Sequence, residues 1–86
     1  PEEIIKYIKA VADKGLIYAM YLYGNFLLYA NYVPKNSEEA AKYLKVAADN
    51  EQLDSMYIYS LMLKEGEGVE VDKVKSAYYL KKSADL

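Results

Sequence analysis

Two patterns of apolar and polar positions alternate along the chain. Residues 37–50, SEEAAKYLKVAADN, place Ala40, Ala41, Leu44, Ala47 and Ala48 at the spacing of one helical face, with Glu38, Glu39, Lys42, Lys45 and Asp49 on the other. Residues 16–33, LIYAMYLYGNFLLYANYV, run without a charged side chain. A helix apolar all round must be covered on several sides or lie in a membrane.

A shift of 36 residues overlays both patterns on further copies. KYIKAVADK (6–14) falls on KYLKVAADN (42–50) and on YYLKKSADL (78–86), so that Tyr7, Tyr43 and Tyr79 coincide, as do Ala12, Ala48 and Ala84, and Asp13, Asp49 and Asp85. AMYLYGNFL (19–27) falls on SMYIYSLML (55–63), aligning Met20 with Met56, Tyr21 with Tyr57, Tyr23 with Tyr59 and Leu27 with Leu63; Val33 meets Val69. The repeat thus has two helical halves, and the pattern predicts five helices, at about 2–14, 17–30, 37–50, 53–65 and 73–86. Asn36 or Ser37 can cap the third, with Glu38 and Glu39 in its first turn and Pro34 disfavouring helix just upstream; Asp72 holds the same place before the fifth. Gly15 and the GEG of 66–68 suit the turns.

Gly15, Ala19, Tyr21 and Gly24 in the first unit, Tyr57, Gly66, Gly68, Val69 and Asp72 in the second, and Ala40, Tyr43, Leu44, Ala47 and Ala48 between them resemble the Sel-one-like repeat, a helix-turn-helix unit related to the tetratricopeptide repeat. The resemblance covers nearly the whole chain, with departures at Glu51 for the turn glycine, Ser60 for the mid-helix glycine and ANYV (30–33) for the glycine loop. It implies an all-α, right-handed α-solenoid of antiparallel helix pairs. Residues 1–86 then form a single domain, with 1–14 the second helix of a preceding repeat and 15–50 and 51–86 one full repeat each. Beginning at Pro1 without an initiating Met, the chain is expected to be a fragment of a longer array.

The repeat decides what the uncharged stretch is. Its register mate, LDSMYIYSLMLKEGEGV, carries Asp54, Lys64, Glu65 and Glu67 and cannot cross a bilayer, so the stretch reads as a repeat helix and no membrane insertion is expected. One stripe on it, Tyr18, Leu22, Asn25 and Tyr29, continues in the next unit as Asp54, Ile58, Leu61 and Glu65. The resemblance places the first helix of each unit on the concave face. Tyr18, Leu22, Asn25, Tyr29, Asp54, Ile58 and Leu61 are therefore the candidate partner-binding residues, and the alternative is that they pack against neighbouring repeats. Because Asn25 and Lys64 are the main donors there, a protein or peptide partner is expected to bind through apolar and aromatic contacts with little salt dependence.

Composition excludes more than it suggests. With 86 residues, no Cys and no His, the chain has neither a disulfide framework nor a Ser-His or Cys-His relay, so no catalytic residue is expected. The acidic loop of Glu65, Glu67, Glu70 and Asp72 lacks calcium-loop spacing, and GEGV lacks the Lys-Ser/Thr of a phosphate loop; no metal or cofactor is expected. Lys73, Lys75, Lys81 and Lys82 gather on the last helix, yet the net charge is −2, there is no Arg and the concave helices are almost free of Lys, which argues against nucleic acid. The expected function is a protein-interaction scaffold or adaptor; a structural spacer and a regulatory module attached to a catalytic domain are the alternatives. Ile4, Ile5, Ile8 and Val11 at one end, and Val74, Ala77, Tyr78 and Leu80 at the other, present apolar surface that would favour head-to-tail self-association.

Overall fold

The computed structural model describes residues 2–30 and 33–86, which form five helices and, among the described residues, no strand. These are α1 (Glu2–Asp13), α2 (Ile17–Tyr29), α3 (Ser37–Asp49), α4 (Leu53–Glu65) and α5 (Lys73–Asp85). Each packs on the next in sequence, α2 on α3 and α4 on α5 most extensively, and the stack measures 37 × 23 × 16 Å. This is the all-α solenoid of five helices that the repeat predicts, and each helix lies within a residue of its expected limits.

The two kinds of helix owe their burial to the patterns that distinguish them. On α3 the stripe Ala40, Ala41, Leu44, Ala47 and Ala48 is buried, while Lys42, Lys45 and Asp49 are exposed. On α2 the buried residues are Ala19, Tyr23, Gly24, Leu27 and Leu28, spread over a wide arc because helices lie on two sides of it. The α2 and α4 cores run together: Tyr23, Leu27, Leu28, Met56, Tyr59, Met62 and Leu63 belong to one cluster. No helix among the described residues is long and apolar enough to cross a membrane.

Polar termini fix the helix boundaries. The Asn36 side chain accepts from the Glu39 backbone N–H at 3.1 Å, and Asp72 accepts from that of Lys75 at 3.0 Å, so Asn36 is the cap of α3. α4 starts differently, with the Gln52 side chain accepting from both Ser55 N–H and Ser55 Oγ at 2.7 Å. The loops within the two repeats close in register: the Asn36 N–H donates to the Leu27 carbonyl at 3.0 Å and the Asp72 N–H to that of Leu63 at 2.9 Å. Their exits from the preceding helix differ, since Gly66 ends α4 in the left-handed region (φ 76°) whereas Ala30 ends α2 extended (φ −74°). Part of the ANYV departure, residues 31 and 32, lies outside the described residues; Val33 rejoins the core as Val69 does.

Gly24 is buried against α3: a Cβ there would lie 2.6 Å from Leu44 Cγ. Tyr43 is half-buried and packs on the edge of the core that Ala40 and Leu44 help to fill, with its hydroxyl reaching the Asp13 carboxylate.

Candidate interaction face

The stripe named from the sequence stays accessible after the helices stack. Tyr18 and Tyr29 are 57% and 62% exposed, Asp54 is exposed, and Leu22, Asn25, Ile58 and Leu61 are half-buried. Stripe positions recur at three- and four-residue steps on α2 and α4, so both helices present them on one side, with Tyr18 and Asp54 as register mates. The Tyr18 and Tyr21 rings lie 5.7 Å apart, tilted by 47°. Burial raises the Tyr21 hydroxyl pKa, with Asp54 and then Tyr18 adding to the effect, so the Asp54 carboxylate stands close enough for its charge to be felt.

Charge on this side is sparse, with Asp54, Lys64 and Glu65 the charged residues of α4. α2 holds no ionisable residue except tyrosine, and Asp54 makes no ion pair or side-chain hydrogen bond among the described residues. By contrast, Glu67 and Asp72 of the acidic loop are already committed. Glu67 accepts from Lys35 Nζ at 2.6 Å and from Ser37 Oγ at 3.0 Å, bonds that hold its carboxyl below the usual range against the opposing effect of burial. Asp72 serves as a cap. Among the described residues no group of three or more His, Cys, Asp or Glu could hold a metal ion.

The opposite helices, α1, α3 and α5, carry a feature that the sequence reading missed. Lys9 pairs with Asp13 at 2.9 Å, Lys45 with Asp49 at 2.9 Å and Lys81 with Asp85 at 2.8 Å. Tyr43 donates its hydroxyl to Asp13, and Tyr79 donates to Asp49 at 2.6 Å, each reaching one repeat back. Each of these tyrosines also meets the ring of the preceding helix edge to face: Tyr43 with Tyr23 at 4.8 Å and 83°, and Tyr79 with Tyr59 at 5.1 Å and 82°. The bonds from Tyr43 and then Lys9 hold Asp13 below its ordinary pKa; at Asp49 burial opposes, but Tyr79 and Lys45 prevail. The detectable signal was a Lys four residues before each aligned Asp. A groove of about 330 Å³ beside the first of these clusters is lined by Ala12, Asp13, Met20, Lys42, Tyr43 and Val46.

The comparisons with known proteins agree with this geometry. The Sel1 repeat model matches residues 17–51 and 53–86. A Sel1 repeat protein from Oxalobacter formigenes superposes with a TM-score of 0.90 at 27% identity, over 94% of this chain and 23% of that one. Cysteine rich protein B (hcpB) of Helicobacter pylori superposes with a TM-score of 0.88 at 19% identity, over 98% of this chain and 63% of that one, and shows the fold alone. This chain therefore spans less than two thirds of either structure, and it reaches the same fold without a cysteine. No curated protein matches it. With two consecutive copies of the repeat filling most of its length, the chain belongs to the Sel1 repeat family.

Proposed function

We propose that the chain is a protein-interaction scaffold without catalysis of its own, and that a partner lies along the α2–α4 face on Tyr18, Leu22, Asn25, Tyr29, Asp54, Ile58 and Leu61. The observation that carries this reading is the accessibility of the stripe. A spacer would bury these side chains between units, whereas Tyr18 and Tyr29 remain more than half exposed and Leu22 and Ile58 are only half-buried. The family supports an interaction role in general, because helical repeats build extended surfaces rather than enclosed active sites. A regulatory module would use the same face for a catalytic domain elsewhere in its protein.

Selection of random peptides displayed against the immobilised chain tests the proposal. Binders should shift the amide resonances of α2 and α4, and Leu22→Glu and Ile58→Glu should each abolish binding while helical content is kept. Absence of binders, or binders that ignore both substitutions, would overturn it.

Self-association is a second reading, favoured by Val74, 82% exposed, with Tyr78 a turn further along and Leu80 also exposed, and by Ile4 and Val11 at the other end. Ile5 and Ile8 are largely covered by the stack. A head-to-tail contact would set α5 beside α1 of the next copy, two helices of the same kind, whereas the kinds alternate within the chain. Sedimentation over a wide concentration range separates a closed monomer from such an assembly.

A further inference from the structure

We propose that the partner presents a lysine or arginine to this face, its cationic head held by the Tyr18 and Tyr21 rings and the Asp54 carboxylate, and its apolar neighbours lying on Leu22, Ile58 and Leu61. This rests on the α2–α4 face being the binding surface and adds the chemistry of what binds there. Three observations support it. The Tyr18 and Tyr21 rings are close and mutually tilted, and aromatic faces attract cations. Asp54, one repeat along from Tyr18, is exposed and has no counter-ion among the described residues, whereas Asp13, Asp49 and Asp85 each have a lysine. α2 contributes no positive charge, and the only lysine of α4, Lys64, lies almost three turns beyond Asp54. The face thus offers an unneutralised carboxylate on α4 and a close aromatic pair at the register-matched end of α2, complementary to a single cation and unfavourable to an acidic segment.

The peptides recovered by the displayed-library selection provide the probe. They should be enriched in a single Lys or Arg flanked by apolar residues. Changing that residue to norleucine or citrulline should weaken binding about tenfold, a loss of the size given by one desolvated cation–π and carboxylate contact. Asp54→Asn should weaken the parent peptide similarly and leave the changed peptide unaffected, since the two alterations remove one contact. The Asp54→Asn chain should keep its circular dichroism spectrum, and the peptide-side change tests the contact independently of that variant. Binders that are acidic or purely apolar, or that tolerate both changes while still losing affinity with Leu22→Glu, would overturn the cation and leave the face standing. Binders indifferent to Leu22→Glu and Ile58→Glu would instead overturn the face, and the cation with it.

Discussion

Met20 floors an open groove between α1 and α3, whereas its register mate Met56, between α3 and α5, is completely buried. The residues that differ are those at the rim: Lys42 and Val46 in the first repeat become Tyr78 and Lys82 in the second. Tyr78 stands edge to face with Tyr79 at 5.2 Å, and Lys82 lies over the Tyr78 ring at 5.9 Å and reaches Glu51 at 3.9 Å. The aligned tyrosine is half-buried as Tyr43 and 7% exposed as Tyr79, while Tyr7, on the first described helix, is 66% exposed. Equal register thus fixes the backbone and the Tyr–Asp contact, while the variable rim decides whether a groove is left open.

The loops divide in the same way, and the largest effect is expected there. A Cβ on Gly68 (φ 75°) would lie 2.3 Å from the Ser37 carbonyl oxygen, a backbone atom with no room to retreat; one on Gly15 (φ 98°) would meet nothing. Gly68→Ala should therefore destabilise by about 2–4 kcal/mol, combining left-handed strain with overpacking, whereas Gly15→Ala should cost only about 1 kcal/mol of strain. Urea denaturation of the two variants checks this, and equal losses would mean that the α4–α5 loop does not bear on α3.

Next in size is the mid-helix pair Gly24 and Ser60. Leu44 is fully buried against Gly24 and cannot swing away, so Gly24→Leu should destabilise by about 1–3 kcal/mol despite the better helix propensity of leucine. Ser60 meets a different neighbour: its carbonyl accepts from Ser76 Oγ at 2.6 Å, and its own hydroxyl donates back to the Tyr57 carbonyl. Combining Gly24→Ala with Leu44→Ala should recover part of the loss from crowding. A higher melting temperature for Gly24→Leu would refute the contact.

The paired tyrosines and aspartates predict how stability depends on pH. Asp13 and Asp49 are held below their ordinary value in the fold, so their contribution is complete above about pH 4 and is lost as pH falls through the folded values. Burial and the Glu39 bond push Tyr23 up to about 12, and burial first and an aspartate bond second raise Tyr43 and Tyr79. The unfolded chain then loses tyrosine protons first, and stability should fall as pH rises from about 10 towards the folded values. Tyr43→Phe should shift the acid limb towards higher pH by returning Asp13 towards its ordinary value. Tyr79→Phe should do so more strongly, since Asp49 then keeps burial as an opposing influence. Thermal melts across the pH range read both shifts, and unchanged acid limbs would show that the hydroxyls contribute little.

The helices were legible because their signals are local and repeated: Ala40 to Ala48 at helical spacing, Asn36 and Asp72 before their helices, and the aligned Val33 and Val69. The accessible stripe was legible only once the repeat had assigned α2 and α4 the same role, since its leucines and tyrosines are otherwise indistinguishable from core. Pairing could not be read so easily. Tyr43 and Asp13 are 30 residues apart and meet only through the stacking of α1, α2 and α3. The open groove depends on side-chain volume at Lys42 and Val46, which periodicity does not weigh.

The smallest effect expected is a gain. Glu51 stands where Gly15 stands one repeat earlier, and it adopts the left-handed region at φ 64°, the only described non-glycine residue to do so. Its N–H donates to the Ala48 carbonyl and the following Gln52 N–H to that of Ala47, so the turn at the end of α3 holds the residue there. The side chain gives little in return: its contact with the half-buried Lys82 is 3.9 Å long and its own carboxylate is largely solvated. Glu51→Gly should therefore stabilise the chain by about 0.5–1 kcal/mol, the relieved strain exceeding the added freedom of the unfolded state. Lys82→Met separates the two contributions, because it removes the ion pair but keeps the turn. If Glu51→Gly lowers the melting temperature as Lys82→Met does, the long ion pair and not the backbone governs this turn, and the second repeat departs from the first in its electrostatics as well as its rim.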